Sequence, residues 1–301
     1  MPNLATAVVA VLFLFTTVLG AVAQDRPRVV TVNYPLQYFA ERLLGDTADV
    51  VFPVPKGVDP SFWRPSIADI STIQSAELIL LNGAGFATWI DRVSLPRSRL
   101  ANTTAALGDR FIVAESITHS HGDGGEHSHE GLASYTWLDP TLAIAQAEAI
   151  AAAIAARNFA PADDVYARFD DLRGELEDLD TTAAAALETA KDIPMIATHP
   201  RYQYLARRYG LSITSLEWEA GAMPTAKQLA ELEARVAESA ARVLIWEATP
   251  PDAALEAIAT LGLQSVVFNP LAHRSSGESF IGSFKAAVVA LSDAAMQSPG
   301  N

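Results

Sequence analysis

One histidine, His199, follows a short apolar run at 193–198 and precedes a helical stretch that Gly210 should end. The run reads as a buried strand. In open α/β sheets ligands bind outside the carboxyl ends of strands, which is where this histidine falls. His199 can give a neutral imidazole nitrogen to a metal or move a proton near neutral pH; capping the helix is its structural alternative. Further predicted strands end in Glu217, Glu247 and Asn269, so four polar groups at successive strand ends converge on one crevice. A second candidate is the run HSHGDGGEHSHEG at 119–131, which holds His119, His121, His127 and His129, four of the six histidines. Histidine-rich tracts are compositional metal binders. The glycine content here predicts a loop with neither helix nor strand.

The chain that must position these groups has 301 residues, 50% of them apolar and 19% charged, which is ample for two α/β units. A net charge of −14 argues against nucleic acid or an anionic membrane as partner and suits a cation. No cysteine is present, so disulfides, thiolate metal sites and cysteine nucleophiles are excluded, and any metal is held by nitrogen and oxygen. Residues 1–23 are apolar from Ala5 and end in Ala21-Val22-Ala23, the pattern of a cleaved secretory signal peptide. An uncleaved N-terminal anchor is the other reading of this run.

Beyond the leader the chain alternates strands and helices. Strands are expected at 29–32, 48–54 and 78–81, helices at 36–44 and 67–76, and a further strand near 112–113. Between them, 57–66 carries two prolines and two aromatics and is neither. An alanine-rich helix should run to about Arg157. Pro161 then opens a helix reaching Lys191, about 45 Å long at 1.5 Å per residue, with Val165, Phe169, Leu172, Leu176 and Leu179 on one buried face. It sits at the chain's midpoint as a strut. After it come strands at 193–198, 212–216, 243–246 and 265–268 with helices at 200–209, 225–239, 251–260 and 279–296. This alternation predicts parallel sheets covered by helices.

The order of landmarks resembles the solute-binding receptors of zinc and manganese ABC transporters, the ZnuA/TroA type. It rests on Gly57 through Arg64-Pro65-Ser66, Ala76-Glu77-Leu78-Ile79 before Asn82-Gly83, and Trp137-Leu138-Asp139-Pro140. It continues in His199 with Tyr209-Gly210-Leu211, Pro224 with Lys227-Gln228-Leu229, and Asn269-Pro270-Leu271. The resemblance implies two Rossmann-like α/β lobes, each a parallel sheet flanked by helices, joined by one long rigid helix. It divides the chain into a signal peptide (1–23), an N-terminal lobe (24–158), a linking helix (159–191) and a C-terminal lobe (192–301). It further implies a monomeric periplasmic receptor that binds zinc, or manganese, between the lobes and passes it to an ABC permease in the inner membrane.

The departures fall on the metal ligands. Where the family usually has histidines, this chain has Asp59 and Tyr135; the third, His199, is retained; the family's fourth ligand, a carboxylate, is Asn269 here. A cation could instead use Asp59, His199 and Glu247, with Tyr135 and Asn269 as weak oxygen donors, a set that shifts preference toward manganese or iron. Alternatively the histidine loop could complete a tetrahedral zinc site with His199. Phe62 and Trp63 are expected to pack between the lobes, and His273 to be solvated. Two other readings keep less support: the same fold holding a metal chelate or organic solute lined by Trp63, Trp89 and Trp218, and an exported metal-dependent hydrolase. The hydrolase lacks HExxH and GxSxG elements.

Overall fold

The structure, a computed structural model, describes residues 26–114, 118–120, 126–128, 131–274 and 278–297. The expected leader at 1–23 lies outside them, and no helix among the described residues is long and apolar enough to cross a membrane. The first half runs β1 (Arg28–Thr31), α1 (Tyr34–Leu44), β2 (Asp49–Val51), α2 (Ile67–Ser75), β3 (Leu78–Leu81) and β4 (Leu100–Asn102). Its four strands form a parallel sheet in the order β2-β1-β3-β4. The strand expected at 48–54 shortens to three residues because Pro53 and Pro55 cannot donate to a ladder. β4 was not legible: Leu-Ala-Asn has no β-branched residue and holds only the sheet's edge.

Four short strands follow: β5 (Val113–Ala114), β6 (Thr118–Ser120), β7 (Glu126–Ser128) and β8 (Gly131–Leu132). The expectation of a strandless histidine loop is corrected here. β6 pairs antiparallel with β7 and places His119 opposite His127 in register. Neither β6, Thr-His-Ser, nor β7, Glu-His-Ser, contains a glycine, the residue type that argues against a strand here. His121 and His129 lie outside the described residues.

Two helices then cross to the second half, α3 (Pro140–Ala155) and α4 (Ala162–Leu187). Asp139 caps α3 by accepting from Thr141 N at 2.9 Å, and Pro140 occupies the first turn, where its missing N–H costs nothing. On α4, Val165, Phe169, Leu172, Leu176, Leu179, Ala183 and Leu187 are all buried. The first five are the apolar stripe that the sequence predicts, and Ala183 and Leu187 extend it at four-residue steps. The helix packs on α1 and α3 of the first half and on helices of the second. One continuous apolar core therefore runs through both halves of the chain.

The second half repeats the first: β9 (Met195–Ala197), α5 (Gln203–Tyr209), β10 (Ile213–Ser215), α6 (Ala226–Ser239), β11 (Val243–Trp246), α7 (Asp252–Ala259), β12 (Gln264–Val267) and α8 (Phe280–Met296). Its sheet is again parallel, in the order β10-β9-β11-β12. Each sheet thus reverses direction beside its first strand, and that switch point opens a crevice at the strands' carboxyl ends. Gly210 ends α5 in the left-handed conformation at φ 67°, as its place after Tyr209 required.

The halves are also tied directly. Trp137 Nε1 donates to Pro270 O at 2.7 Å, Tyr34 N to Ala272 O at 2.9 Å, and Ile112 N to the Tyr204 hydroxyl at 3.2 Å. Because α4 carries the shared core, truncating a central side chain there should loosen the whole molecule. Leu176→Ala is expected to lower unfolding free energy by about 2–5 kcal/mol in urea titration, in one transition for both halves.

Candidate metal centre

The segment from Thr198 to Tyr202 leaves β9 and enters α5, and it is pinned before it reaches the crevice. Thr198 N donates to Ile245 O at 2.8 Å, Trp218 N donates to Thr198 O at 2.8 Å, and Glu247 N donates to the Thr198 hydroxyl at 3.3 Å. These bonds draw the ends of β9, β10 and β11 together. His199 and Glu247 consequently flank the switch point of the second sheet, with Nδ1 of the imidazole 3.4 Å from Glu247 Oε2.

The tautomer of His199 follows from its other neighbour. Nδ1 lies 3.1 Å from Trp218 O, and a carbonyl oxygen can only accept. Nδ1 therefore carries a proton, and in the neutral ring Nε2 then holds the lone pair, the tautomer that serves as a metal ligand. His199 is buried, and it does not cap α5, whose N-cap position is held by Tyr202.

Arg201 was not singled out in the sequence, yet it sits at the centre of the crevice. Its side chain is 7% exposed. Nη2 donates to Asp59 Oδ2 at 2.6 Å across the two halves, and Nε lies 3.4 Å from Glu247 Oε1. The guanidinium also lies over the Tyr135 ring, 4.6 Å from its centroid, a cation–π contact. Burial disfavours its charge, but Tyr135, Glu247 and Asp59 outweigh that and raise its pKa. The residue is a fixed cation. The available signal was its position, two residues beyond a strand-end histidine in a chain rich in acids.

The other expected residues sort around it. Asp59 does two things: Oδ1 accepts from Ser61 N at 2.8 Å, forming the turn that an Asp-Pro pair favours, while Oδ2 meets Arg201. Burial raises the pKa of Glu247, and Arg201 counters that. Tyr135 is buried, its hydroxyl 3.4 Å from Ser61 Oγ, and burial pushes its pKa well up, so it is a neutral phenol beneath the guanidinium rather than an anionic oxygen donor. Glu217 is near enough for Arg201 to offset part of the rise that burial causes in its pKa.

Asn269 is exposed, and its Oδ1 accepts from Leu271 N at 2.8 Å, a local turn around Pro270. That takes it out of the converging set. His273 is not simply solvated: Nε2 lies 2.6 Å from Val58 O and the ring lies 5.1 Å from that of Phe52. Trp63 packs edge-on to Trp89 at 5.5 Å inside the first half, and Trp218 packs on Trp246 at 5.7 Å in the second. All three tryptophans proposed to line a solute pocket are core residues, which removes the support for an organic ligand. Among the described residues no group of three or more His, Asp and Glu side chains is arranged to hold a metal ion. A guanidinium stands between the carboxylates instead.

The profile of one family, zinc-uptake complex component A, periplasmic, matches residues 29–294. The chain belongs to that family. It is 27% identical over 257 residues to the zinc-binding lipoprotein AdcA of Streptococcus pneumoniae R6, covering 83% of this chain but 51% of that protein. The chain thus spans about half the length of that relative. It is 26% identical over 267 residues to the high-affinity zinc uptake system protein ZnuA of Bacillus subtilis 168, covering 84% of this chain and 81% of the other. In structure it resembles the Zn(II)-bound ZnuA-like domain of S. pneumoniae AdcA, with a TM-score of 0.76 at 22% identity over 91% of this chain and all of that domain. Membership in the zinc-uptake component A family accounts for both the repeated sheet and the long helix. It also sharpens the oddity of the crevice. Two positions at which the sequence resemblance leads one to expect histidines, Asp59 and Tyr135, are the two first-half residues that touch Arg201.

The bridge between Asp59 and Arg201 should be measurable without any ligand. A double-mutant cycle of Asp59→Asn and Arg201→Gln in urea is expected to give a coupling of about 1–3 kcal/mol. A coupling near zero would mean that the contact does not join the two halves.

Proposed function

We propose that this protein is an extracytoplasmic receptor that captures a divalent transition metal between its two lobes and hands it to an ABC permease. The observation that carries this reading is His199: an imidazole whose Nδ1–H is held by Trp218 O and whose ring stands beside Glu247 at a topological switch point. Neutral histidine with its second nitrogen anchored to a carbonyl is how proteins prepare a metal ligand. Family membership supports the same reading, since the relatives carry names of zinc-binding and zinc-uptake proteins.

His199 and Glu247 form the second-half side of the proposed ligand set, and Asp59 brings a carboxylate from the first. Tyr135 and Asn269 are left out of it. One nitrogen and several oxygens can serve zinc and also suit manganese; zinc is the first choice because of the relatives. The histidine tract supplies a separate, looser collecting role through His119, His121, His127 and His129. The permease, a monomeric state and a periplasmic location reached through the leader at 1–23 complete the proposal.

The test is metal analysis of the purified protein, of His199→Ala, and of a deletion of residues 122–130. Loss of a direct ligand should cost more than the ~10–100-fold typical of removing its outer-shell partner. Zinc at one equivalent in the parent and in the deletion, but not in His199→Ala, is expected. Metal retained by His199→Ala would contradict the crevice site.

A further inference from the structure

The chain contains its own cation in the place where the proposed cargo cation must bind. Asp59 and Glu247 come from opposite halves and meet through one group, the Arg201 guanidinium, at 2.6 Å from the first and 3.4 Å from the second. A metal bound by carboxylate oxygen and imidazole nitrogen needs contacts of about 2.0–2.2 Å. Nη2 at its present distance from Asp59 Oδ2 leaves no room for that. Guanidinium and metal therefore exclude each other at Asp59.

We propose that Arg201 is a built-in competitor for the cargo: it bridges Asp59 and Glu247 across the crevice, and a divalent cation reaches these carboxylates only as the guanidinium withdraws.

This inference rests on the proposed metal capture and adds a control to it. The pairing is built for holding, since Arg201 is buried, sits on the face of Tyr135 and uses two of its nitrogens on carboxyl groups from the two halves. One guanidinium faces two carboxyl groups, Asp59 at 2.6 Å and Glu247 at 3.4 Å, so the groups it holds are ones that a cation also seeks. An anionic ligand would meet those same carboxyl groups, so an anion site is the poorer fit. A divalent cation between the halves would take over the bridge that Arg201 makes. The cost of expelling Arg201 lowers cation affinity and thereby favours release of the cargo. The arginine thus sets affinity without being a ligand.

The experiment is calorimetric titration of Zn2+ and Mn2+ into metal-stripped wild type, Arg201→Gln and Arg201→Lys, with thermal melting of each protein before metal is added. Removing a competing unit charge at contact distance should tighten zinc binding in Arg201→Gln by about tenfold or more. The same variant, with its two carboxylates unpaired, should melt several degrees below wild type before zinc and regain the loss with it. Lysine keeps the charge but cannot span both carboxylates as a fork, so Arg201→Lys should fall between wild type and Arg201→Gln. It decides the matter alone if the glutamine variant fails to fold. Unchanged or weaker zinc binding in the variants, with wild type binding normally, would overturn the inference and leave metal capture standing. No zinc or manganese binding by any of the three proteins would overturn metal capture and the inference together.

Discussion

A buried positive charge must be matched or it destabilises the fold, and Arg201 is matched from both halves of the molecule at once. That requirement reaches far from the crevice. Asp59 is available to Arg201 because its other oxygen fixes the turn after Pro60, and Glu247 because its backbone is tied to Thr198 at the end of β9. Tyr135 is held beneath the guanidinium because its ring packs against Trp137 and Phe86, and Trp137 in turn bonds across to Pro270. Loosening any of these shifts the one interaction that all of them hold.

The repeated sheet explains why such an arrangement can form. Both sheets are parallel and both reverse beside their first strand, so each opens a crevice at its strands' carboxyl ends. The long helix α4, packed along its apolar stripe on helices of both halves, fixes how these two crevices face. Asp59 enters this crevice from the first half and His199 with Glu247 from the second. Trp218 O accepts from His199 Nδ1 and fixes how the ring is turned.

What the sequence revealed and what it hid divide along physical lines. The stripe on α4, the Gly210 stop and the strand–helix alternation were legible because they depend on local periodicity and backbone preference. The proximity of His199 and Glu247 was legible because each directly follows a strand of the same parallel sheet. Arg201 was hidden because a lone arginine in a loop is ordinarily solvated, and only the approach of Asp59, 142 residues away, gives it a partner. Asn269 misled for the opposite reason: its position promised the crevice, but its amide is spent on its own turn. The pairing of β6 with β7 is hidden in the sequence because each strand is only three residues long within a glycine-rich tract.

The most direct measurement is anomalous diffraction at the zinc edge from crystals of the protein grown with one equivalent of zinc. The account predicts a single strong peak within coordination distance of His199 Nε2 and a Glu247 oxygen, with the Arg201 guanidinium moved away from Asp59. A peak elsewhere on the molecule, with Arg201 still bonded to Asp59 and Glu247, would contradict it.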